Sequence, residues 1–221
     1  MLLSIIRQNQ KLAAKRNPAF DRNRFAKFLI YFMVAFWAAY LIFIGVMLSF
    51  AFEDIFPSME PYHIMNQGLI YLLILDFLLR FMLQPAMSQE IKPYLLMPIK
   101  KNKLVDTLLL QSGISSYNFF WFFLIVPFAL LTIIRFYEFT GILCYLCGIW
   151  LLMAMNSYWY LICKTLLNEK LLYILLPIGV YGLLAGTEFI PEGNPVSTFM
   201  MNLGEGFIEG NILAFLGVIA A

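Results

Sequence analysis

The stretch FLIYFMVAFWAAYLIFIGVMLSFAF, residues 28–52, contains no charged residue. As an α-helix it would be about 37 Å long, which is enough to cross a hydrocarbon core of about 30 Å with some tilt. The rest of the chain has the same character: 62% of its residues are hydrophobic, 13% are charged, and its mean hydropathy is +0.81. Soluble domains carry about 25% charged residues. The composition therefore predicts an integral membrane protein.

Further apolar stretches follow the first one and set the predicted fold. We predict an all-α, polytopic transmembrane helical bundle with five complete spans and a partial sixth, at residues 28–52, 64–84, 107–134, 139–163, 171–187 and 207–221. The last stretch would be about 22 Å long as a helix, too short to cross, and we expect the sequence to stop inside a sixth span. Because no repeat or linker interrupts the chain, residues 1–221 are expected to form a single transmembrane domain.

The segment between the fifth and sixth stretches, residues 188–206, is rich in Gly, Pro, Asn and Glu and contains no Lys or Arg. It is too long for a simple turn. We expect short helices or re-entrant elements there, on the outer side and shielded by neighbouring spans.

Positive residues indicate the orientation of the bundle. With a cytoplasmic N-terminus, thirteen Lys and Arg residues fall on the inner side and only Arg135 falls in an outer loop. This asymmetry predicts that the N-terminus is cytoplasmic. Residues 1–27 carry seven of the positive charges. They are expected to form either a short helix lying in the membrane interface or a solvated positive flank that fixes the topology.

The longest polar passage between two spans is EIKPYLLMPIKKNKLVDTLLLQ, residues 90–111. Lys92, Lys100, Lys101 and Lys103 make it basic, while leucine, isoleucine and tyrosine side chains give it an apolar side. Two prolines divide it into short pieces. We predict that this passage, within a cytoplasmic segment at residues 85–106, contacts another protein.

Two opposite charges, Asp76 and Arg80, lie inside the second predicted span. Residues four apart share one face of a helix, so the two side chains are expected to form an intramembrane polar pair. Intramembrane ionisable residues are costly and usually face a bundle interior or a cavity. Two interpretations stay open: a structural ion pair between helices, or a polar patch that lines a substrate path or acts as a coupling hinge.

Signatures of an enzyme are missing from the sequence. The single histidine, His63, excludes two-histidine zinc motifs, and neither a G-x-S-x-G nor a Walker A motif occurs. Cys144-x-x-Cys147 and the aromatic run at residues 117–123 are expected to serve packing and lipid contact. We therefore expect no catalytic residue, no metal, no cofactor and no nucleic-acid partner. An intramembrane enzyme that uses Asp76 is the weakest hypothesis, because no second catalytic group accompanies it.

The basic passage also carries a resemblance. LLMPIKKNKLV, residues 95–105, placed between the second and third spans, resembles the corresponding passage of ABC-2 type permeases. The chain is more closely similar to an uncharacterised family of bacterial permease-like membrane proteins. The residues of that similarity are Arg22-Asn23-Arg24, Asp76, Arg80-Phe81, Gln84, Lys92-Pro93-Tyr94-Leu95 and Pro98-Ile99.

The resemblance implies a permease subunit of an ABC-type transporter in a bacterial cytoplasmic membrane, working as a homodimer or heterodimer with a separate ATPase subunit. Residues 85–106 would contain the coupling helix. The residues expected to contact the ATPase are Glu90, Lys92, Pro93, Tyr94, Leu95, Pro98, Ile99, Lys100, Lys101 and Lys103. The alternative is a membrane scaffold or assembly protein that binds a cytoplasmic partner through the same segment without transport.

Overall fold

The computed structural model describes residues 8–9, 12, 24–84, 101–113, 115–187 and 194–220. Helices make up almost all of this part of the chain, and it contains no strand. The prediction of an all-α fold is therefore confirmed for these residues. The helices are α1 (Arg24–Ile55), α2 (Pro61–Gln67), α3 (Leu69–Leu83), α4 (Lys101–Gly113), α5 (Ser116–Phe120), α6 (Phe122–Thr132), α7 (Phe139–Glu169), α8 (Leu175–Gly186), α9 (Pro195–Ile208) and α10 (Ile212–Ala220).

Two continuous helices are long and apolar enough to cross a membrane. They run over Lys27–Ile55 within α1 and over Phe139–Glu169, which is α7. They contain the predicted spans 28–52 and 139–163. Because neither stretch contains a proline and both consist mainly of residues compatible with a helix, the backbone continues without interruption. Helix α7 extends beyond the predicted span 139–163 and ends at Glu169, because the backbone of Lys170 is extended.

Two further spans are bent rather than straight. Helices α2 and α3 meet at Gly68 with a bend of 47°, and together they cover the predicted span 64–84. The predicted span 107–134 is divided among α4, α5 and α6, and a bend of 61° separates its two halves at Trp121. Each bent pair is long and apolar enough to cross a membrane only when its two helices form one span.

The prediction of five complete spans was wrong in number. The described residues contain two continuous candidate spans, or up to four if each bent pair counts as one. The predicted fifth span forms a 3-10 turn and α8, a short apolar stretch over Leu171–Gly186. An α-helix needs about 20 residues to cross the hydrocarbon core, so this stretch falls short.

Residues 53–63, between the first two predicted spans, are partly helical: Glu53 and Asp54 belong to α1, and His63 lies in α2. A short helix was one of the two expectations for residues 188–206, and a helix is found there. In the region 188–206, helix α9 begins after Asn194, whose side-chain oxygen accepts hydrogen bonds from the backbone N–H groups of residues 196 and 197 at 3.1 Å. An asparagine cap followed by Pro195 is a typical helix start. Gly210, with a φ of 71°, then turns the chain into α10.

Helix α7 is the centre of the bundle. It packs against α3, α4, α6, α9 and α10, and its inward residues Tyr145, Ile149 and Met153 are almost fully buried. Gly148 allows the ring of Phe207 in α9 to lie directly against the helix backbone. Helix α1 lies at the side of the bundle, where it packs chiefly on α6.

Helices α1 and α6 lie close together at Gly45. A Cβ atom at this position would overlap the backbone carbonyl oxygen of Leu124 and press on the ring of Pro127. A backbone atom cannot move aside as a flexible side chain can. The α1–α6 contact therefore requires glycine at this position.

We expect Gly45→Ala to destabilise the protein by about 1–3 kcal/mol, because the extra methyl group forces α1 away from α6. The measurement is the midpoint of thermal unfolding in detergent. Gly182→Ala is the matched control, since a Cβ atom there meets nothing within 4 Å. It should be neutral or slightly stabilising. Equal midpoints for the two variants would contradict the close α1–α6 packing.

Candidate functional site

A polar network lies in the interior of the bundle, centred on the buried Asp76 carboxylate. Asp76 is 3% exposed and accepts three hydrogen bonds: from Nε of Arg80 at 2.7 Å, from the indole Nε1 of Trp121 at 2.8 Å, and from Nδ2 of Asn156 at 2.7 Å. An ionised carboxylate can be buried only when it is paired and hydrogen-bonded. These donors come from three parts of the chain, so the network can form only in the folded bundle.

Arg80 extends the network away from Asp76. Its Nη2 donates to Oδ1 of Asn118 at 2.8 Å, and the amide nitrogen of Asn118 donates to the carbonyl oxygen of Gly113 at 2.5 Å. The pair Asp76–Arg80 is thus connected through Asn118 to the last residue of α4. Nη1 of Arg80 is buried and has no hydrogen-bond partner among the described residues. The carboxylate is well satisfied, while the guanidinium keeps spare donor capacity.

Asn156 connects the network to two further helices. Its amide nitrogen also donates to the carbonyl oxygen of Leu73 at 3.0 Å, and its side-chain oxygen accepts a hydrogen bond from the hydroxyl of Tyr181 at 2.6 Å. Asn156 lies on α7 and Tyr181 on α8. One polar network therefore joins five helices: α3, α4, α5, α7 and α8. It also includes Trp121, which lies between α5 and α6.

A second set of hydrogen bonds holds the point where the chain leaves α3. The carbonyl oxygen of Gln84 accepts hydrogen bonds from the hydroxyl of Tyr160 at 2.8 Å and from Nζ of Lys164. Lys164 also donates to the carbonyl oxygen of Phe81 at 2.9 Å. A lysine that donates to the last carbonyls of a helix satisfies groups that have no partner within that helix. The end of α3 is thereby attached to α7.

The end of α4 is attached to α7 as well. The hydroxyl oxygens of Ser112 and Ser157 lie 2.7 Å apart, within hydrogen-bond distance. With the Asn118 contact to Gly113, this places the C-terminus of α4 against the polar network. Gln84 and Ser112, which lie on either side of the basic passage at residues 90–111, are therefore both anchored to α7.

The polar network borders a large apolar cavity of about 1110 Å³. Its walls come from α1, from α2 and α3, and from α5 and α6 with Trp121 between them. Among the described residues that line the cavity, Asp76 and Arg80 are the charged ones. Several wall residues are well exposed, among them Val34 at 63% and Leu75 at 49%. The cavity therefore opens to the surroundings of the bundle along α1 and α3.

Most of the residues predicted to contact an ATPase lie outside the described residues: Glu90, Lys92, Pro93, Tyr94, Leu95, Pro98, Ile99 and Lys100. Lys101 and Lys103 lie in the first turn of α4. Lys103 is exposed, and its neighbour Leu104 is 2% exposed. The start of α4 thus presents a positive charge outward while its apolar side packs inward. The contact itself stays a prediction.

Sequence analysis found two members of the polar network and missed four. The missed residues are Asn118, Trp121, Asn156 and Tyr181. The aromatic run at residues 117–123 is predicted to serve packing and lipid contact, but Trp121 is 4% exposed and its indole N–H donates to Asp76. The physical reason is that a buried indole N–H requires an acceptor. Two asparagines inside apolar spans were a usable signal, because an amide in a bundle interior also needs partners.

The cysteines are free thiols in the described part of the chain, and no group of three metal-binding side chains occurs there. Cys144 is half-buried and Cys147 is exposed. They lie on α7 in apolar surroundings, where the sequence placed them as packing residues.

Fold and site together define a helical protein with candidate membrane spans, a buried polar network and an adjoining apolar cavity. Residues 10–221 match DUF5687, a family of unknown function, and the chain belongs to that family. No curated protein and no solved structure matches the chain.

We expect Asp76→Asn to destabilise the protein by about 3–5 kcal/mol, which corresponds to roughly 10 °C in the unfolding midpoint. The asparagine amide carries no negative charge, so Arg80 becomes an uncompensated buried charge. Its NH₂ group would also face N–H donors that bind the carboxylate in the unaltered protein. The measurement is thermal unfolding in detergent followed by the helical circular dichroism signal. Asp54→Asn, at an exposed position on α1, is the control and should change stability by no more than about 0.5 kcal/mol. A midpoint for Asp76→Asn equal to that of the control would show that the network contributes little.

Proposed function

We propose that this chain is the transmembrane permease subunit of an ABC-type transporter and that it works with a separate cytoplasmic ATPase subunit. The observation that carries the proposal is the anchoring of the chain on either side of the basic segment, residues 90–111. Gln84 is held by Tyr160 and Lys164, and Ser112 and Gly113 are held by Ser157 and Asn118. A force applied between these two anchors is transmitted to the interior of the bundle.

The segment has the chemistry that docking requires. Apolar side chains suit entry into a groove on a partner, and lysines orient the contact by charge. Closure of two ATPase subunits would push on residues 85–106 and displace α4. Because Asn118 connects α4 to Arg80, this displacement would reach the polar network and shift α3 relative to α7. The network then acts as the coupling hinge of a hinge or shear motion.

The proposed arrangement in the membrane follows from the four candidate spans and the positive charges. Four crossings return the chain to the side of the N-terminus after α7, and Lys164 and Lys170 lie at that end of α7. A cytoplasmic N-terminus places these lysines and the basic segment on the same inner side. We propose a multi-pass protein of the bacterial cytoplasmic membrane that forms a homodimer or heterodimer of permease subunits.

The test is affinity purification of the full chain in mild detergent, followed by mass spectrometry of the proteins that accompany it. We expect a stoichiometric ATPase with a Walker A motif, which is lost when Lys100, Lys101 and Lys103 are all changed to Glu. The matched control changes Lys11, Lys15 and Arg16 to Glu, which reverses the same number of charges in the N-terminal segment. Both variants must elute from size-exclusion chromatography like the unaltered protein.

Two results would contradict the proposal. A preparation without any ATPase would favour the scaffold hypothesis, in which the same segment binds a partner without transport. An ATPase retained by the Lys100, Lys101 and Lys103 variant but lost in the control would move the docking site to the N-terminal segment.

A further inference from the structure

We infer that the cavity between α1 and α3 is a binding site for a molecule with a long acyl chain and a carbonyl oxygen, which accepts a hydrogen bond from Arg80. The inference concerns binding by this chain alone and does not depend on an ATPase.

The shape and lining of the cavity select an apolar ligand. A volume of about 1110 Å³ lies slightly above the range of roughly 300–1,000 Å³ that is typical of sites for drug-sized ligands. Apart from Asp76 and Arg80, the walls consist mainly of leucine, isoleucine, methionine and aromatic residues. Such walls stabilise a hydrocarbon chain by burial of apolar surface.

The hydrogen-bonding capacity left at Asp76 and Arg80 indicates which polar group the ligand carries. The Asp76 carboxylate already accepts three hydrogen bonds, so it has little capacity for a ligand donor. Arg80 donates through Nε and Nη2, while Nη1 has no partner among the described residues. A buried donor without an acceptor carries its full desolvation cost. The site therefore offers a donor, and the complementary ligand group is an acceptor oxygen.

The charge of the site indicates which kind of acceptor group the ligand carries. Asp76 and Arg80 neutralise each other, so the site carries no net charge that would demand an anion. A carbonyl oxygen, from a fatty acid or from an acyl ester, supplies the acceptor at the head of an apolar chain. Nη1 is closed to solvent in the structure. Because Arg80 is part of the cavity lining, the inference requires that a ligand oxygen in the cavity reaches this donor.

Two leucines of α3 provide a matched pair of variants. Leu75 lines the cavity and is 49% exposed, whereas Leu78 is 52% exposed and is not part of the lining. Leu75→Trp would fill the cavity near the polar network. Leu78→Trp would introduce the same bulk on another side of the same helix. Because both positions are half-exposed, neither change disrupts the core.

The experiment measures equilibrium binding of radiolabelled palmitic acid, methyl palmitate and hexadecane to the purified full chain in alkyl maltoside micelles. Partition into protein-free micelles is subtracted for each compound. We expect the acid, the ester or both to bind about tenfold more tightly than hexadecane, because only they can accept a hydrogen bond from a charged donor. Binding of the acid alone identifies a free carboxyl ligand, and binding of the ester identifies an acyl ester.

The variants separate the cavity from the rest of the surface. Leu75→Trp should weaken acyl binding at least about tenfold, while Leu78→Trp should leave it unchanged. Arg80→Lys keeps the charge beside Asp76 but removes the spare guanidinium donor, and it should reduce the preference for carbonyl compounds over hexadecane.

Three results would overturn the inference. Hexadecane bound as tightly as the carbonyl compounds would reject the site. Equal acyl binding by the Leu75→Trp and Leu78→Trp variants would also reject it. If Leu75→Trp instead dissociates a dimer in size-exclusion chromatography with light scattering, and no acyl compound binds, the cavity wall is an interface with a second copy of this chain. None of these results changes the expected association with an ATPase.

Discussion

The Asp76 carboxylate sets the main constraint on this structure. A buried carboxylate in an apolar bundle costs several kcal/mol unless it is paired and hydrogen-bonded. Arg80, Trp121 and Asn156 meet this requirement from α3, the α5–α6 junction and α7. Arg80 in turn requires an acceptor, which Asn118 provides. The relative positions of these helices are therefore fixed by polar contacts as well as by apolar packing.

A further set of contacts attaches the chain on both sides of the basic passage, residues 90–111, to helix α7. Ser157, Tyr160 and Lys164 lie at successive positions along the second half of α7 and hold the end of α4 and the end of α3. Helix α7 thus serves as the fixed element against which both ends of the basic segment are attached. Any partner that moves this segment must act against these contacts. This arrangement gives the proposed coupling a physical route.

Whether a contact can be predicted from the sequence depends on how far apart its residues are along the chain. The Asp76–Arg80 pair was predictable because residues four apart meet on a helix. The continuous helices at residues 28–52 and 139–163 were predictable because long apolar stretches without proline favour an uninterrupted backbone. Asn118, Trp121 and Asn156 were not assigned to the network, since they approach Asp76 only after the helices pack. The span count failed because the stretch at 171–187 is too short to cross, although its apolar composition resembles that of a span.

Asn118 connects α4 to the buried polar network, and the proposed coupling depends on this connection. The most direct measurement is hydrogen–deuterium exchange of the full chain in detergent, comparing Asn118→Leu with the unaltered protein. Thr132→Val is the control, because Thr132 is also buried but its hydroxyl binds only Phe128 within α6. We expect faster exchange in α4 for Asn118→Leu, little change in α9 and α10, and no effect on α4 in the control. Unchanged exchange in α4, or an equal increase throughout the chain, would contradict the account.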